Sequence, residues 1–274
     1  MRTNSVPLVE ITHRARVKAL FGDDPRLFLE VLDESQRGVD ELVTVFVPDA
    51  AQVGSLSSAS AAAAAASATT CLAVRWGQRA LGLGSKAVLR ALRVGDLEHL
   101  LPALPWRGHL ELKLPFWASG IVGSMFQTDA LTAEAIYELT PDAAQRPAAM
   151  SHCVEVSPAD EDILGSVFPK RVPGSPAFLL APGGALASLA AVTHQAQNTA
   201  RISVYTLEEV RGRGFGRAVL SALSRALLDQ GVVPTVSIDL SRIAEVRMVE
   251  ASGFSLYDVS MRLLLRGRVD LPQP

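Results

Sequence analysis

The sequence predicts a mixed α/β fold, a mostly antiparallel sheet flanked by helices. Three observations carry that prediction. β-branched runs alternate with amphipathic stretches through the second half of the chain, turn signals join several of the strands, and a glycine-rich loop leads from a strong strand, ISVYT, straight into a strong helix. The 274 residues are 49% apolar and 20% charged, which is enough to bury a core and excludes a disordered chain.

Charge and cysteine usage narrow the function classes. Lys plus Arg is 26 and Asp plus Glu is 28, a net charge of −2. Nucleic acid and anionic membrane are therefore not expected as partners. Cys71 and Cys153 lie far apart with no CxxC pair, which argues against a disulfide framework or a thiolate zinc site and fits a reducing cytoplasm. His13, His99, His109, His152 and His194 show no HxxxH or HExxH spacing, so no metal site is expected. The first twenty residues hold Asn4, Pro7, Glu10 and four basic residues, and so lack the apolar core of a leader peptide. The most apolar stretch, Ala177 to Val192, is broken by Pro182, Gly183 and Gly184 and reads as two short strands and a turn, not a membrane span.

The elements follow in order. Glu41 to Val47 is a β-branched run ending at Pro48, hence a buried strand. Residues 55–70 are an Ala/Ser-rich insertion or surface helix with no large apolar face. Cys71 to Trp76 reads as a strand, and Ser85 to Leu92 as a helix with Val88, Leu89 and Leu92 on one side. Asp96 caps a short helix through Leu101. His109 to Leu114 alternates as a strand, Phe116 to Phe126 reads as a helix, and Ala133 to Leu139 as a strand. Thr140 to Ser151, with two prolines and little bulk, is the linker. His152 to Val156 is a strand. Ser157 then caps a helix with Pro158 in its first position and Asp160, Glu161 and Asp162 at its positive end. Ala177 to Ala181 and Ala185 to His194 are strands, Gln195 to Thr199 a polar turn, and Arg201 to Thr206 a strand. A helix over about 216–230 ends at Gly231; Pro234 to Asp239 is a strand; a helix from about Ser241 to Ser252 ends at Gly253; Phe254 to Leu265 is the last strand or strands.

The chemistry lies between the strand at 201–206 and the helix that follows. Arg211-Gly212-Arg213-Gly214-Phe215-Gly216 opens that helix directly. Glycines let backbone N–H groups turn inward with no Cβ in the way, and with the positive helix end they form a nest for a phosphate or pyrophosphate. Arg211 and Arg213 add charge toward the same anion. Phe215, Val219, Leu220, Leu223 and Leu227 share the apolar side of the helix, with Arg217, Ser221, Ser224 and Arg225 opposite.

This segment resembles the GCN5-related N-acetyltransferase (GNAT) superfamily, whose coenzyme A loop reads Q/R-x-x-G-x-G/A; Arg211, Gly214 and Gly216 match it, and Gly253-Phe254 matches the family's Gly-Phe pair after its fourth helix. The run VYTLEEVRGRGFG also resembles the glycine N-acyltransferase-like subgroup. The resemblance covers roughly Ser151 to Arg266. It implies the acyl-CoA N-acyltransferase fold and direct transfer of an acyl group, from acetyl-CoA or another acyl-CoA, to an amine of a small molecule or peptide. It implies that the strand before the loop splays from its neighbour, Pro234 to Asp239, and that the coenzyme is held by Tyr205, Thr206, Arg211, Gly212, Arg213, Gly214, Phe215 and Gly216. The family's frequent thiolate acid falls at Val249, its frequent Asn at Arg242, and its frequent catalytic Glu at Ala200 or Arg201. His194, at the end of the neighbouring strand, is the candidate base, because an imidazole titrates near neutrality. Glu208 and Glu209 read as solvated carboxylates, Tyr205 and Tyr257 as packing, and Cys153 as a thiol with nothing nearby to activate it.

The first half echoes the loop: Arg79-Ala80-Leu81-Gly82-Leu83-Gly84 followed by SKAVLRAL parallels Arg211 to Gly216 followed by RAVLSAL. Two tandem lobes are therefore expected, a degenerate acetyltransferase-like lobe over 1–145 and a GNAT domain over 146–274. A homodimer is compatible with the sequence. Two other readings compete. One is a non-catalytic acyl-CoA-binding or regulatory module. The other is a dinucleotide-binding unit with Asp239 on the ribose, which ranks lower because the spacing is GxGxG and no further βαβ units follow.

Overall fold

A computed structural model describes residues 9–11, 44–47, 71–76, 85–91, 110–143, 153–157 and 161–268. The chain divides into two units, Met1–Glu134 with Val259–Pro274, and Ala135–Asp258. The expected Ala/Ser-rich insertion at 55–70, the helix at 96–101 and most of the linker at 140–151 lie outside the described residues.

In the first unit the strands are β1 (Val9–Ile11), β2 (Thr44–Val47), β3 (Cys71–Trp76), β4 (Ser85–Ala91) and β5 (Leu110–Pro115), with parts of β6 (Phe126–Glu138) and β12 (Ser255–Arg268). Their order is β1-β2-β3-β4-β5-β12-β6. Every pairing from β1 to β4 is antiparallel, β4 runs parallel to β5, and β5 is antiparallel to β12. The sequence places a helix at Ser85 to Leu92; the chain instead makes strand β4. Helix propensity is a weak preference, and it loses here to ladder bonds on both edges: Lys86–Ala91 against Cys71–Trp76, and Ser85–Val88 against Leu110–Lys113. The segments after the two loops differ, since RAVLSAL is helical and SKAVLRA is extended, and Arg79 to Gly84 lie outside the described residues.

Alternation in LELKLP gives β5 two unlike faces. Leu110, Leu112 and Leu114 pack with Met261, Leu263 and Leu265 of β12 under helix α1 (Ser119–Met125), which follows a single 3-10 turn at Phe116–Ala118 and contributes Val122. Fully burying each such side chain contributes about 1.5–3 kcal/mol. The opposite face carries ions. Arg262 bridges Glu111 (2.7 Å) and Glu134 (2.8 Å), and Lys113 pairs with Glu134 at 3.0 Å.

The second unit has its own ladder. Strands β7 (Cys153–Glu155), β8 (Ala177–Leu180), β9 (Ser188–Ala196) and β10 (Thr199–Thr206) form an antiparallel series, with β11 (Val233–Asp239) parallel to β10. The Pro182-Gly183-Gly184 turn joins β8 to β9 as the sequence suggests. The polar turn between β9 and β10 is tighter than expected, only Gln197 and Asn198, with Gln197 at φ 53°. The helices are α2 (Glu161–Val167), α3 (Phe215–Asp229) and α4 (Ile243–Ala251). Leu164 of α2 and Phe168 just beyond it pack on Ala177, Leu189 and Ala191.

Helix α3 differs from its amphipathic reading. Ser221 and Ser224 are buried along with Val219, Leu220, Leu223 and Leu227. Small residues allow this: Ser224 satisfies its own hydroxyl by donating to the Leu220 carbonyl at 2.7 Å, so the helix can sink against the sheet without a stranded polar group.

Candidate functional site

The site grows from the register of β10. On one side β10 pairs with β9 along its whole length, from Thr199↔Ala196 to Thr206↔Ser188. On the other it pairs with β11 only at Thr199↔Val233, Ala200↔Pro234 and Arg201↔Thr235. From Ile202 onward the two parallel strands diverge, which is the splay expected of the strand before the loop. The divergence begins level with a bulge in β9: Arg201 pairs with His194 but Ile202 pairs with Val192, leaving Thr193 as the extra residue.

At the far end of β10 the chain is pinned. Ser188, fully buried, donates its hydroxyl to the Tyr205 carbonyl at 2.8 Å and lies 2.8 Å from Thr206 Oγ1. Arg211 turns back and donates Nε to the Thr206 carbonyl at 3.3 Å. A short turn at Glu208–Val210, whose two glutamates are exposed, carries the chain into the loop.

Gly212 and Gly214 both sit in the left-handed region, at φ 79° and 82°, and a Cβ on either would meet nothing within 4 Å. The backbone there fronts open space, and a side chain would fill it. Gly214 is the N-cap of α3 with no side-chain cap, and the first bond of the helix is Ala218 N–H to the Gly214 carbonyl at 3.0 Å. The N–H groups of Phe215, Gly216 and Arg217 thus have no acceptor within the helix, and no acidic residue occupies its first turn. Gly216 has a different reason to be glycine: a Cβ would lie 2.9 Å from both Met248 Sδ and Thr206 Oγ1. This close contact locks the start of α3 onto β10 and α4. Arg211, Arg213 and Arg217 are exposed around the helix end. A cradle of N–H groups with three guanidiniums about it fits a pyrophosphate.

The structure thus gathers Tyr205, Thr206, Arg211, Gly212, Arg213, Gly214, Phe215 and Gly216 at one end of β10. It does not place His194 with them. His194 sits six residues along β9 from Ser188, about 20 Å at strand spacing, level with the start of the splay. Tyr205 is 38% exposed, not packed in the core, while Tyr257 is half-buried. Val249 is buried, as is Ala200; Arg201 is 5% exposed; Arg242 is exposed and ion-paired to Glu245 at 3.1 Å. Asp239 accepts the Ser241 N–H at 2.8 Å, so it caps the turn into α4, a role that competes with holding a ribose. Gly253, at φ 90°, packs so close to the Ala143 carbonyl that a Cβ would lie 2.9 Å from its oxygen, which accounts for the glycine of the Gly-Phe pair.

Sequence reasoning missed Ser188, Thr193 and Ser203. Thr193 Oγ1 lies 3.2 Å from Ser203 Oγ, 3.4 Å from the Arg201 carbonyl and 3.3 Å from His194 Nδ1. Hydroxyls inside apolar strands were the only signal. Two titratable groups are perturbed. Burial, then the nearby Glu250 charge and the hydrogen bond to it (3.3 Å), push the Tyr137 hydroxyl up, and burial pushes the Cys153 thiol up. Among the described residues no group of three or more His, Cys, Asp or Glu is placed to hold a metal ion, and no helix is long and apolar enough to cross a membrane.

Solved structures of similar fold are known. The GCN5-related N-acetyltransferase from Sphaerobacter thermophilus is similar at TM-score 0.56, with 13% identity over 97% of this chain and 98% of that one. The fold is the acyl-CoA N-acyltransferase fold of the GNAT proteins. A tandem GNAT protein from the clavulanic acid biosynthesis pathway is similar at TM-score 0.56, with 12% identity over 95% of this chain and 98% of that one. A GNAT-family acetyltransferase from Colwellia psychrerythraea gives TM-score 0.55, with 10% identity over 95% and 100% of the two chains. Residues 181–263 match the family model described as FR47-like protein, and that span contains the splayed strands, the loop and α3. No curated protein matches the chain.

Proposed function

We propose that the chain is an acyl-CoA-dependent N-acyltransferase that uses acetyl-CoA, or another acyl-CoA, to acylate an amine of a small molecule or peptide. One observation carries the reading: the Gly212 to Gly216 loop opens a tightly packed helix end beside a strand that has parted from its parallel neighbour. The loop and the three arginines suit the phosphates. The N–H groups of Ile202 to Thr206 that do not bond β9 suit an extended ligand and a developing oxyanion. The amine attacks the acyl carbonyl directly, as the resemblance to the GNAT proteins implies. The Tyr205-Thr206 run into the loop supports the glycine N-acyltransferase-like subgroup, and the unit Ala135–Asp258 contains every residue assigned to the coenzyme.

The departures at Val249, Ala200 and Arg201 favour a second reading, a module that binds acyl-CoA without turnover. Calorimetry with coenzyme A and thiol release from acetyl-CoA with a panel of amines separate the two. Binding with release supports the transferase; binding without release supports the module; no binding overturns both.

A further inference from the structure

The β9 bulge sets two consecutive side chains toward one face of the sheet. In a regular strand Thr193 and His194 would point to opposite faces. Here Thr193 Oγ1 reaches Ser203 Oγ and the Arg201 carbonyl of β10, and His194 Nδ1 reaches Thr193 Oγ1, while His194 is the cross-strand partner of Arg201. Ser203 lies in the segment of β10 that has left β11. Its side chain alternates with Val204 and Thr206, which pack toward Gly216 of α3, so it stands on the face away from that helix, with exposed Tyr205.

We propose that Ser203, Thr193 and His194 form a hydroxyl relay that carries a proton from the incoming ammonium at the splay to the His194 imidazole. The inference rests on the transferase reading above. The step balances. The ammonium gives one proton to Ser203 Oγ, which passes its own to Thr193 Oγ1, which passes its own to His194 Nδ1, leaving an imidazolium and a neutral amine. The amine nitrogen forms a bond to the acyl carbon, the carbon–sulfur bond breaks, and the second amine proton ends on the departing sulfur, giving amide and thiol. Separations of 3.2 and 3.3 Å are long for such transfers, as is usual before the reacting complex tightens them. In this scheme Ser203 meets the ammonium itself, and Thr193 is a positioning residue that connects it to His194.

The charged groups on elements against His194 are Arg201 directly opposite on β10, and Lys170 and Arg171 on the segment tied to β9 by the Val172 N–H to Val192 carbonyl bond. Glu161 and Asp162 lie on α2; β8 carries no charge; Arg217, Arg225 and Asp229 belong to α3, on the other side of the sheet, the last two paired at 3.7 Å.

The test measures thiol release from acetyl-CoA against pH with an amino acid amide, an aminoglycoside and a polyamine. Thr193→Val keeps shape and removes the hydroxyl; it is expected to lower kcat about 10²-fold or more and flatten the rising limb as His194→Ala does, with the KM for acetyl-CoA unchanged. Thr193→Ser is expected to restore the limb, Ser203→Ala to mimic Thr193→Val, and the Thr193→Val, His194→Ala pair to be no worse than His194→Ala alone. Turnover with an unchanged limb in both Thr193→Val and Ser203→Ala overturns the relay and leaves the transferase intact. No turnover by the parent overturns the relay and the transferase reading together, and calorimetry with coenzyme A then shows whether the binding site stands.

Discussion

Gly216→Ala tests the packing that holds the helix end in place. The added Cβ would lie 2.9 Å from Met248 Sδ, 2.9 Å from Thr206 Oγ1 and 3.6 Å from Val204 Cγ1. The first contact can relax, because a thioether is flexible. The second cannot relax easily, because Thr206 Oγ1 is held 2.8 Å from Ser188 Oγ, and Ser188 is buried and also tied to the Tyr205 carbonyl. Overpacking of this kind costs about 1–3 kcal/mol, against a helix-propensity gain of at most about 1 kcal/mol near a helix start. The expected balance is a loss of about 1–2 kcal/mol, read as a Tm lower by about 2–8 °C. The helix N-terminus must also shift relative to β10, so coenzyme A affinity measured by calorimetry is expected to fall about tenfold, a difference of about 1.4 kcal/mol. Adding Met248→Ala should recover only part of the stability, because the Thr206 contact stays. A Gly216→Ala protein that melts at or above the parent and binds coenzyme A as tightly would refute the reasoning.

Other changes separate backbone, anchor and charge effects. Gly214→Ala meets no atom but must hold φ near 82°, so it should cost about 1–2 kcal/mol in urea melts, whereas Gly214→Trp should fold and yet lose coenzyme A; unimpaired binding by the tryptophan variant would remove the loop from the site. Ser188→Ala strands the Thr206 hydroxyl and should lower stability by about 1–3 kcal/mol; no change would mean that the pin is dispensable. Lys113→Met should destabilise by a similar amount because it leaves Glu134 half-compensated, and Lys113→Met with Glu134→Leu should be milder than the sum, which chemical denaturation can check. Burial raises the Cys153 thiol pKa in the folded chain, so its stability contribution is present below the unfolded value and fades as pH rises through the folded one. In a Cys71→Ser background, iodoacetamide at pH 8 should therefore modify the native protein more slowly than the denatured one, and equal rates would contradict the shift.

How far the chain was legible depended on whether a signal was local. The loop and α3 were readable because glycine spacing, two arginines and a 3.6-residue period sit within twenty residues and need no partner to be recognised. Strands β3, β5 and β8 to β11 announced themselves through β-branched or alternating runs. β4 did not, since its Ala, Leu, Arg and Lys favour helix, and the ladders with β3 and β5 on its two edges decide otherwise. Burial of Ser221 and Ser224 was hidden because a serine that bonds its own helix backbone counts as polar in sequence and apolar in packing. His194 was located on the right strand, but its distance from the loop depends on register, and the bulge that turns Thr193 beside it has no mark in the amino acids themselves.

The parting of β10 from β11 leaves a slot one strand wide inside a sheet. Five residues of β10, Ile202 to Thr206, span about 17 Å of backbone facing it, and Val236 to Asp239 face it from the other side. Two rows of N–H and C=O groups are general in what they accept: any extended chain carrying amides could lie there as a guest strand, a peptide as readily as a coenzyme arm. Selection must then come from the slot's mouth. There the left-handed glycines and the bare helix end ask for an anion at a fixed distance from the amides, and a peptide lacking one forfeits that contact. The sheet supplies reach without discrimination, and the loop decides which extended molecule stays.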